Sequence, residues 1–427
     1  MEPISANVKD YGSFKDSMRA PIHRWFAYPA GYSYRLIDEK ICDYKLGNAS
    51  LIMDPFVGTG TTSVVAKLKG VNSIGLEAHP FVHWVANVKL FWDYDLNELM
   101  QSIEEVVTKA VSDNVSIAPD VPLLVEKCFT ADNLQKLLRL RKAINSVTCG
   151  SSVRDFLKLA LTSTLRIASS AGTGWPYIAP SKYQAKLVNR DAIKEFQKQS
   201  LLMYEDVIWV RELNNHASKH EIVLGDARSL SKYVPQGEVD LLITSPPYLN
   251  NYDYADRTRL ETYFWGMYHN WREISEHVRS KLMMAATTQV VRSRLDGILE
   301  LPKVAEHCPD VYQQLLSAVD QLGKLRLQKP GKKSYDAMVA GYFEDFVDVL
   351  TEAHVVLKPG HDFVLVLGDS APYGVYIPTD LYIGRLATAI GFSSFHVQAI
   401  RTRGGKWGHN PQRHKVMLRE SIVTITK

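Results

Sequence analysis

The sequence predicts an α/β fold: a doubly wound, Rossmann-like sheet interrupted by two mostly helical insertions. Three observations carry this. Short apolar runs of strand length recur along the chain, as SLIMDPF, VNSIGLE, HEIVLG, EVDLLIT, DFVLVLG, SSFHVQAI and SIVTITK. The first passes through a glycine turn, GTGTT, into the helical pattern SVVAKLKG and then into the second, which makes a βαβ unit. Two long stretches with apolar residues at helical spacing then break the strand series.

Residues 1–95 hold that opening unit, preceded by HRWFAYPAGYSYRLIDEKICDY, a turn followed by a helical pattern. From 96 to 215, SIEEVVTKAVSD, ADNLQKLLRLRKAI and VRDFLKLALTSTLRIA read as helices, broken by SSAGTGWPYIAP. Strands resume in 216–254. A polar, helix-rich stretch occupies 255–340 and contains KLRLQKPGKK, and 341–427 returns to alternating helices and strands.

In DPFVGTGTT (54–62), Gly58 and Gly60 stand where a strand folds directly into a helix. Glycine admits positive φ and lets the backbone approach a ligand. The helix N-terminus beyond offers unpaired N–H groups to an anionic group, and Thr61 and Thr62 add hydroxyls. A dinucleotide fingerprint needs a third glycine; position 63 is serine, which weighs against a nicotinamide cofactor. Glu77, at the tip of the second strand, is placed to accept hydrogen bonds from both ribose hydroxyls of a nucleoside. Asp226, in VLGDARSL, can bond an adenine amine or cap a helix N-terminus, and the sequence leaves both open.

The run LLIT stops at Ser245-Pro246-Pro247-Tyr248. Proline has no N–H for a sheet ladder, so two in succession end the strand in a stiff, extended corner. That corner presents a hydroxyl, a carbonyl and an aromatic ring.

The succession DPFVGTGTT, an acidic strand tip, GDA and TSPPY resembles the S-adenosylmethionine-dependent amino-methyltransferases that act on DNA bases. Its SPPY form resembles the cytosine-N4 enzymes, since adenine-N6 enzymes more often carry Asp or Asn at the first position. VVLKPGHDFVLVLGDS and IGF fit later parts of the same core, so the resemblance covers the sheet segments, roughly half of the chain. It implies a methyltransferase sheet and S-adenosylmethionine as cofactor, held by Asp54, Phe56, Gly58, Gly60, Thr61, Thr62, Glu77 and Asp226. It implies catalysis by Ser245, Pro246, Pro247 and Tyr248. Ser245 and the Pro246 carbonyl would bond the amine of a flipped-out cytosine, Pro247 would stiffen the corner and Tyr248 would stack on the base. HRWFAYPAGYSY resembles the segment that closes over the methionine end of the cofactor, although Trp25, Phe26 and Tyr28 suit a core equally well. Either insertion is a candidate for reading DNA.

The implied partner is double-stranded DNA, with a restriction endonuclease in the same system. An adenine-N6 or RNA amine substrate, and a non-catalytic DNA-binding subunit, are the alternatives. No Pro-Cys motif is present, against C5-cytosine chemistry. Cys42, Cys128, Cys149 and Cys308 form no CxxC pair, so neither a metal site nor a disulfide framework is expected. No apolar run reaches the length of a membrane span, and MEPISANVKDYGSF lacks a secretion pattern; a cytoplasmic location is expected. The net charge of +4 says little about partners; RTRGGKWGHNPQRHKVMLR (401–419) contains no acid and reads either as a solvated loop or as one that follows a phosphate backbone. Arg257 and Glu261, four residues apart, read as an ordinary pair on a helix surface.

Overall fold

Seven strands form one sheet in a computed structural model that describes residues 11–28, 31–113, 115–173, 178–183, 190–213, 218–290, 297–403 and 416–427. In chain order the strands are β1 (Leu51–Asp54), β2 (Asn72–Glu77), β3 (Ala171–Thr173), β4 (Ile178–Tyr183), β5 (His220–Leu224), β6 (Val239–Thr244), β7 (Leu357–Gly368), β8 (Ser394–Arg403) and β9 (Leu418–Thr426). The order across the sheet is β5-β2-β1-β6-β7-β9-β8, and β3 and β4 make a separate antiparallel hairpin. All seven run parallel except β9, which lies antiparallel between β7 and β8. The chain winds outward from β1 in one direction and from β6 in the other. The switch point therefore falls between β1 and β6, beyond whose C-terminal ends doubly wound sheets bind ligands.

The central strands are buried on both faces, as in parallel sheets generally. Ile52, Leu241, Ile243, Val364 and Val366 pack on helices α1 (Tyr34–Asp43) and α2 (Thr61–Leu68). Met53, Leu242, Phe363, Leu365 and Leu367 point the other way, into the core that includes Tyr342, Phe343 and Phe346. Alternation with period two places neighbouring residues on opposite faces, and each large apolar side chain buried contributes about 1.5–3 kcal/mol. Helix α3 (Pro80–Leu90) starts with proline in its first turn and His79 as its cap, whose ring nitrogen accepts the Phe81 N–H.

The first insertion is built from α4 (Leu96–Ser112), α5 (Ala131–Ser146), α6 (Ser151–Ala168) and α7 (Ala192–Glu212), with the β3–β4 hairpin between the last two. Side-chain oxygens of Asp95, Thr130 and Asp191 cap three of these helices. Their apolar faces form one core with α3 and with Ile22, Trp25 and Phe26. The second insertion carries several short turns and α8 (Pro309–Gln328); α9 (Tyr335–Val356) and α10 (Thr379–Ile390) then cover the sheet. Much of the basic stretch 401–419, Lys406 and Trp407 included, lies outside the described residues, as do residues 174–177 of the GTGWPY segment.

One sequence expectation is corrected. Arg257 and Glu261 are no surface pair: they are 3% and 0% exposed. Arg166 of α6 donates to both Glu261 carboxylate oxygens and to the Arg257 carbonyl. The helical spacing was right, but a cation 95 residues upstream covers the face, which local periodicity cannot reveal.

Candidate active site

The C-terminal ends of β1, β2, β5 and β6 border one cleft. From the first strand's turn it takes Pro55, Phe56, Val57, Gly58, Thr59 and Thr61, and from β2 Leu76, Glu77, Ala78 and His79. Gly225, Asp226 and Ala227 follow β5, and Ser245 and Pro247 follow β6. The glycine turn and the diproline corner thus open onto the same space, as the parallel pairing of Ile52 with Leu241 and Met53 with Leu242 requires.

Gly58 has φ +55° and Gly60 +87°. Above Gly58 a Cβ would meet nothing nearer than the Phe56 carbonyl at 4.0 Å, so its missing side chain is cleft space. Gly60 serves differently: a Cβ there would sit 3.4 Å from that of Ala86, and the residue caps α2 in a left-handed conformation while packing on α3. Gly60 is absent from the cleft wall; Thr61 is in it.

Asp54 does not line the cleft either. It is fully buried, accepting from the Thr244 hydroxyl at 2.5 Å, the Phe56 N–H at 3.0 Å, the Tyr32 hydroxyl at 3.2 Å and the Thr62 hydroxyl. Burial still outweighs these bonds and pushes its carboxyl up to about 6. Because Thr244 immediately precedes Ser245, Asp54 ties the glycine turn to the diproline corner. Thr62, 1% exposed, is used up in that tie.

Glu77 faces the cleft and accepts the His79 N–H at 2.8 Å. Burial pushes it up to about 7, opposed by backbone N–H groups of His79, Gly58 and Ala78. Asp226 caps a short 3₁₀ turn, accepts from the Arg228 N–H at 2.9 Å and pairs with the Arg228 guanidinium at 2.7 Å. The capping role is thus realised in a residue that also lines the cleft.

At the corner, Pro246 is buried behind Ser245 and Pro247. Tyr248 reaches across β7: its hydroxyl donates to Glu420 of β9 at 2.8 Å, and its N–H donates to the Tyr254 hydroxyl at 3.3 Å. Glu420 is 1% exposed and pairs with Arg401.

The HRWFAYPAGYSY segment supplies Tyr28, Gly31 and Tyr32 to the wall, while Tyr254 and, from the second insertion, Leu282 and Met283 carried no motif. Trp25 and Phe26 are core, whereas Tyr28 is both core and wall.

The wall suits S-adenosylmethionine. The open space over Gly58 admits close backbone approach, Glu77 offers an acceptor for ribose hydroxyls, and Phe56, Leu76, Leu282 and Met283 supply the apolar surface that an adenine ring needs. A doubly wound sheet with such a cleft at its switch point, and the diproline corner on the same rim, is the arrangement expected of an S-adenosylmethionine-dependent methyltransferase.

Comparison with known proteins narrows the class. A family model described as DNA methylase matches residues 6–87. The chain is similar to the Type II methyltransferase M.BsoBI of Geobacillus stearothermophilus, 25% identical over 97% of this chain and 87% of that one. It is also similar to the Type II methyltransferase M.AvaI of Nostoc sp., 22% identical over 97% and 88%. A shorter match, 35% identical over 20% of this chain and 18% of the relative, links it to M.MjaII of Methanocaldococcus jannaschii. The chain is thus similar over nearly its whole length to Type II methyltransferases, and its residues 6–87 match the DNA methylase model.

Proposed function

We propose that the protein methylates the exocyclic N4 amine of a cytosine flipped out of duplex DNA, as the modification half of a restriction–modification pair. The observation that carries this reading is the shared cleft. Ser245 and Pro247 stand on the same wall as Gly58 and Glu77, and Asp54 holds the two corners in register through Thr244. A single methyl hop between neighbouring corners needs that arrangement.

S-adenosylmethionine supplies an electrophilic methyl group on a sulfonium centre. The cytosine amine is conjugated with its ring and is a poor nucleophile, so this chain's residues must free and aim its lone pair. Ser245 and the Pro246 carbonyl are the acceptors assigned to the amine, and drawing on its N–H bonds moves the nitrogen toward tetrahedral geometry. Pro247 fixes the corner so that these acceptors need no reorganisation. Tyr248 stacks on the extruded base, worth about 1–3 kcal/mol against the cost of unstacking. Gly58, Phe56, Thr61 and Glu77 hold the nucleoside part of the donor, with Asp226 at the adenine end. Gly60, Thr62 and Asp54 act behind them as the frame of the turn.

Serine at the first position of SPPY favours cytosine over adenine, and the similarity to Type II methyltransferases over nearly the whole chain supports the restriction context and a cytoplasmic place of action. The test is to express the protein, digest the cell's DNA to nucleosides and identify the modified base by mass spectrometry. N4-methylcytosine is expected; N6-methyladenine would move the substrate to the other amine of the family.

A further inference from the structure

We propose that the turn carrying Lys329, Lys332 and Lys333, between α8 and α9, binds the phosphates of duplex DNA beside the target base. This rests on the reading of the cleft as a DNA-methylating site and assigns a DNA contact to the second insertion. All three lysines are exposed, and none forms an ion pair with a described residue. One turn upstream the cations are already engaged: Lys324 pairs with Asp320 and Arg326 with Asp336. Between those two aspartates the chain has no acid.

The turn is also held in place, and what holds it is the catalytic rim. The Lys333 N–H donates to the Tyr373 hydroxyl at 3.0 Å. Tyr373 lies on the loop after β7, the strand beside β6. Tyr335 packs edge-on against the Tyr373 ring, with centroids 4.7 Å apart. Asn251, three residues beyond Tyr248, reaches toward the Tyr335 hydroxyl and accepts from the Thr287 N–H and hydroxyl at 2.8 and 2.9 Å. Three of the six described non-glycine residues with left-handed backbone sit in this one junction: Asn251 at φ +59°, Lys332 at +41° and Tyr373 at +50°. Such conformations are strained and persist where the surroundings over-determine them, most often at functional sites.

A loop that only needed to be soluble would not require this anchoring. Three unpaired ammonium groups fixed to the rim where a base must be extruded match the backbone charge of the flanking duplex. Lysine contacts position the DNA without reading its sequence.

The test measures duplex binding by fluorescence anisotropy across a salt series, without methyl transfer. Changing Lys329, Lys332 and Lys333 together to Ala should weaken binding and reduce the slope of log affinity against log salt by about 2–3. Changing all three to Arg should restore the slope, while the affinity for S-adenosylmethionine stays at the wild-type value in both. Single changes at Lys329 and Lys333, each lowering the slope by about 1, carry the test if the triple change disturbs the fold. A slope unchanged by the alanine variants, or not restored by arginine, overturns the proposal. If the wild type binds duplex with a lysine-dependent slope yet modifies no cytosine, the chemical reading falls and the DNA contact stands.

Discussion

The Tyr248 hydroxyl donates to the Glu420 carboxylate at 2.8 Å, joining the corner after β6 to a strand two places away in the sheet. Glu420 is buried and pairs with Arg401, whose guanidinium also donates to the Gly12 carbonyl at 2.9 Å. The ring assigned to base stacking is therefore held by an acid on the antiparallel strand, and that acid's partner reaches the N-terminal segment. A hydrogen bond to a buried charged acceptor contributes about 1.5–3 kcal/mol.

Tyr248→Phe keeps the ring and loses the tether. It should lower kcat by roughly tenfold, the effect expected of one such bond, with Glu420→Gln producing a loss of similar size. Tyr248→Ala and Ser245→Ala should cut turnover further. Cofactor affinity should stay near normal in all four. Steady-state methyl transfer to duplex DNA, with calorimetry of S-adenosylmethionine binding, separates the two effects. Equal losses of cofactor binding in the Ser245 and Tyr248 variants would make the corner structural support.

Gly58→Val should abolish cofactor binding. The site has φ +55°, which a β-branched residue cannot adopt without strain, and the added carbons would occupy the space over the turn. Calorimetry on the folded variant decides it, and normal affinity would remove the glycine turn from the site.

The sheet and both corners were legible because each is written locally: strand-length apolar runs, glycines at a strand-to-helix turn, prolines at a strand end. Gly58, Glu77 and Ser245 needed no partner to be recognised. Asp54 and Thr62 were recognised as part of the turn, but their place behind the cleft depends on Thr244 and Tyr32, which the sequence does not connect to them. Leu282 and Met283 were invisible because an apolar pair in a polar stretch has no period that distinguishes wall from core. The Arg166–Glu261–Arg257 cluster was hidden because its members lie up to 95 residues apart.

Cofactor affinity should rise with pH through about 7. Glu77 is held near that value by burial, whereas the unfolded chain ionises near the ordinary carboxylate range. Ribose hydroxyls donate to the ionised form, so below pH 7 binding must first expel a proton, and above it this cost vanishes. Stability of the free protein runs the other way. A raised carboxyl contributes stability that is fully present below the unfolded pKa and is lost as pH rises through the folded one, so Glu77 and Asp54, at about 7 and 6, should make the free chain melt lower as pH climbs from 4 to 8. Titrations of S-adenosylmethionine affinity from pH 6 to 8 should show the dependence in the wild type and its loss in Glu77→Gln. A flat wild-type profile would count against the ribose role.

Asp206→Asn should weaken cofactor binding from a distance. Asp206, on α7 of the first insertion, is 2% exposed and accepts from the Ile22 N–H at 2.9 Å, the Arg24 guanidinium at 2.5 Å and the Trp25 indole N–H at 3.0 Å. These bonds fix the segment that leads into Tyr28, Gly31 and Tyr32 on the cleft wall. The amide keeps the shape but removes the charge and turns N–H groups toward donors. Because Arg24 is partly exposed, the cost should be on the order of 3 kcal/mol, the low end for breaking a buried pair. The melting temperature should fall by several degrees and the dissociation constant for S-adenosylmethionine should rise severalfold, while kcat at saturating cofactor changes little because the diproline corner lies on a different element. Thermal melts with and without cofactor, combined with steady-state kinetics, measure all three. A destabilised variant with unchanged cofactor affinity would show that the wall segment keeps its place without Asp206.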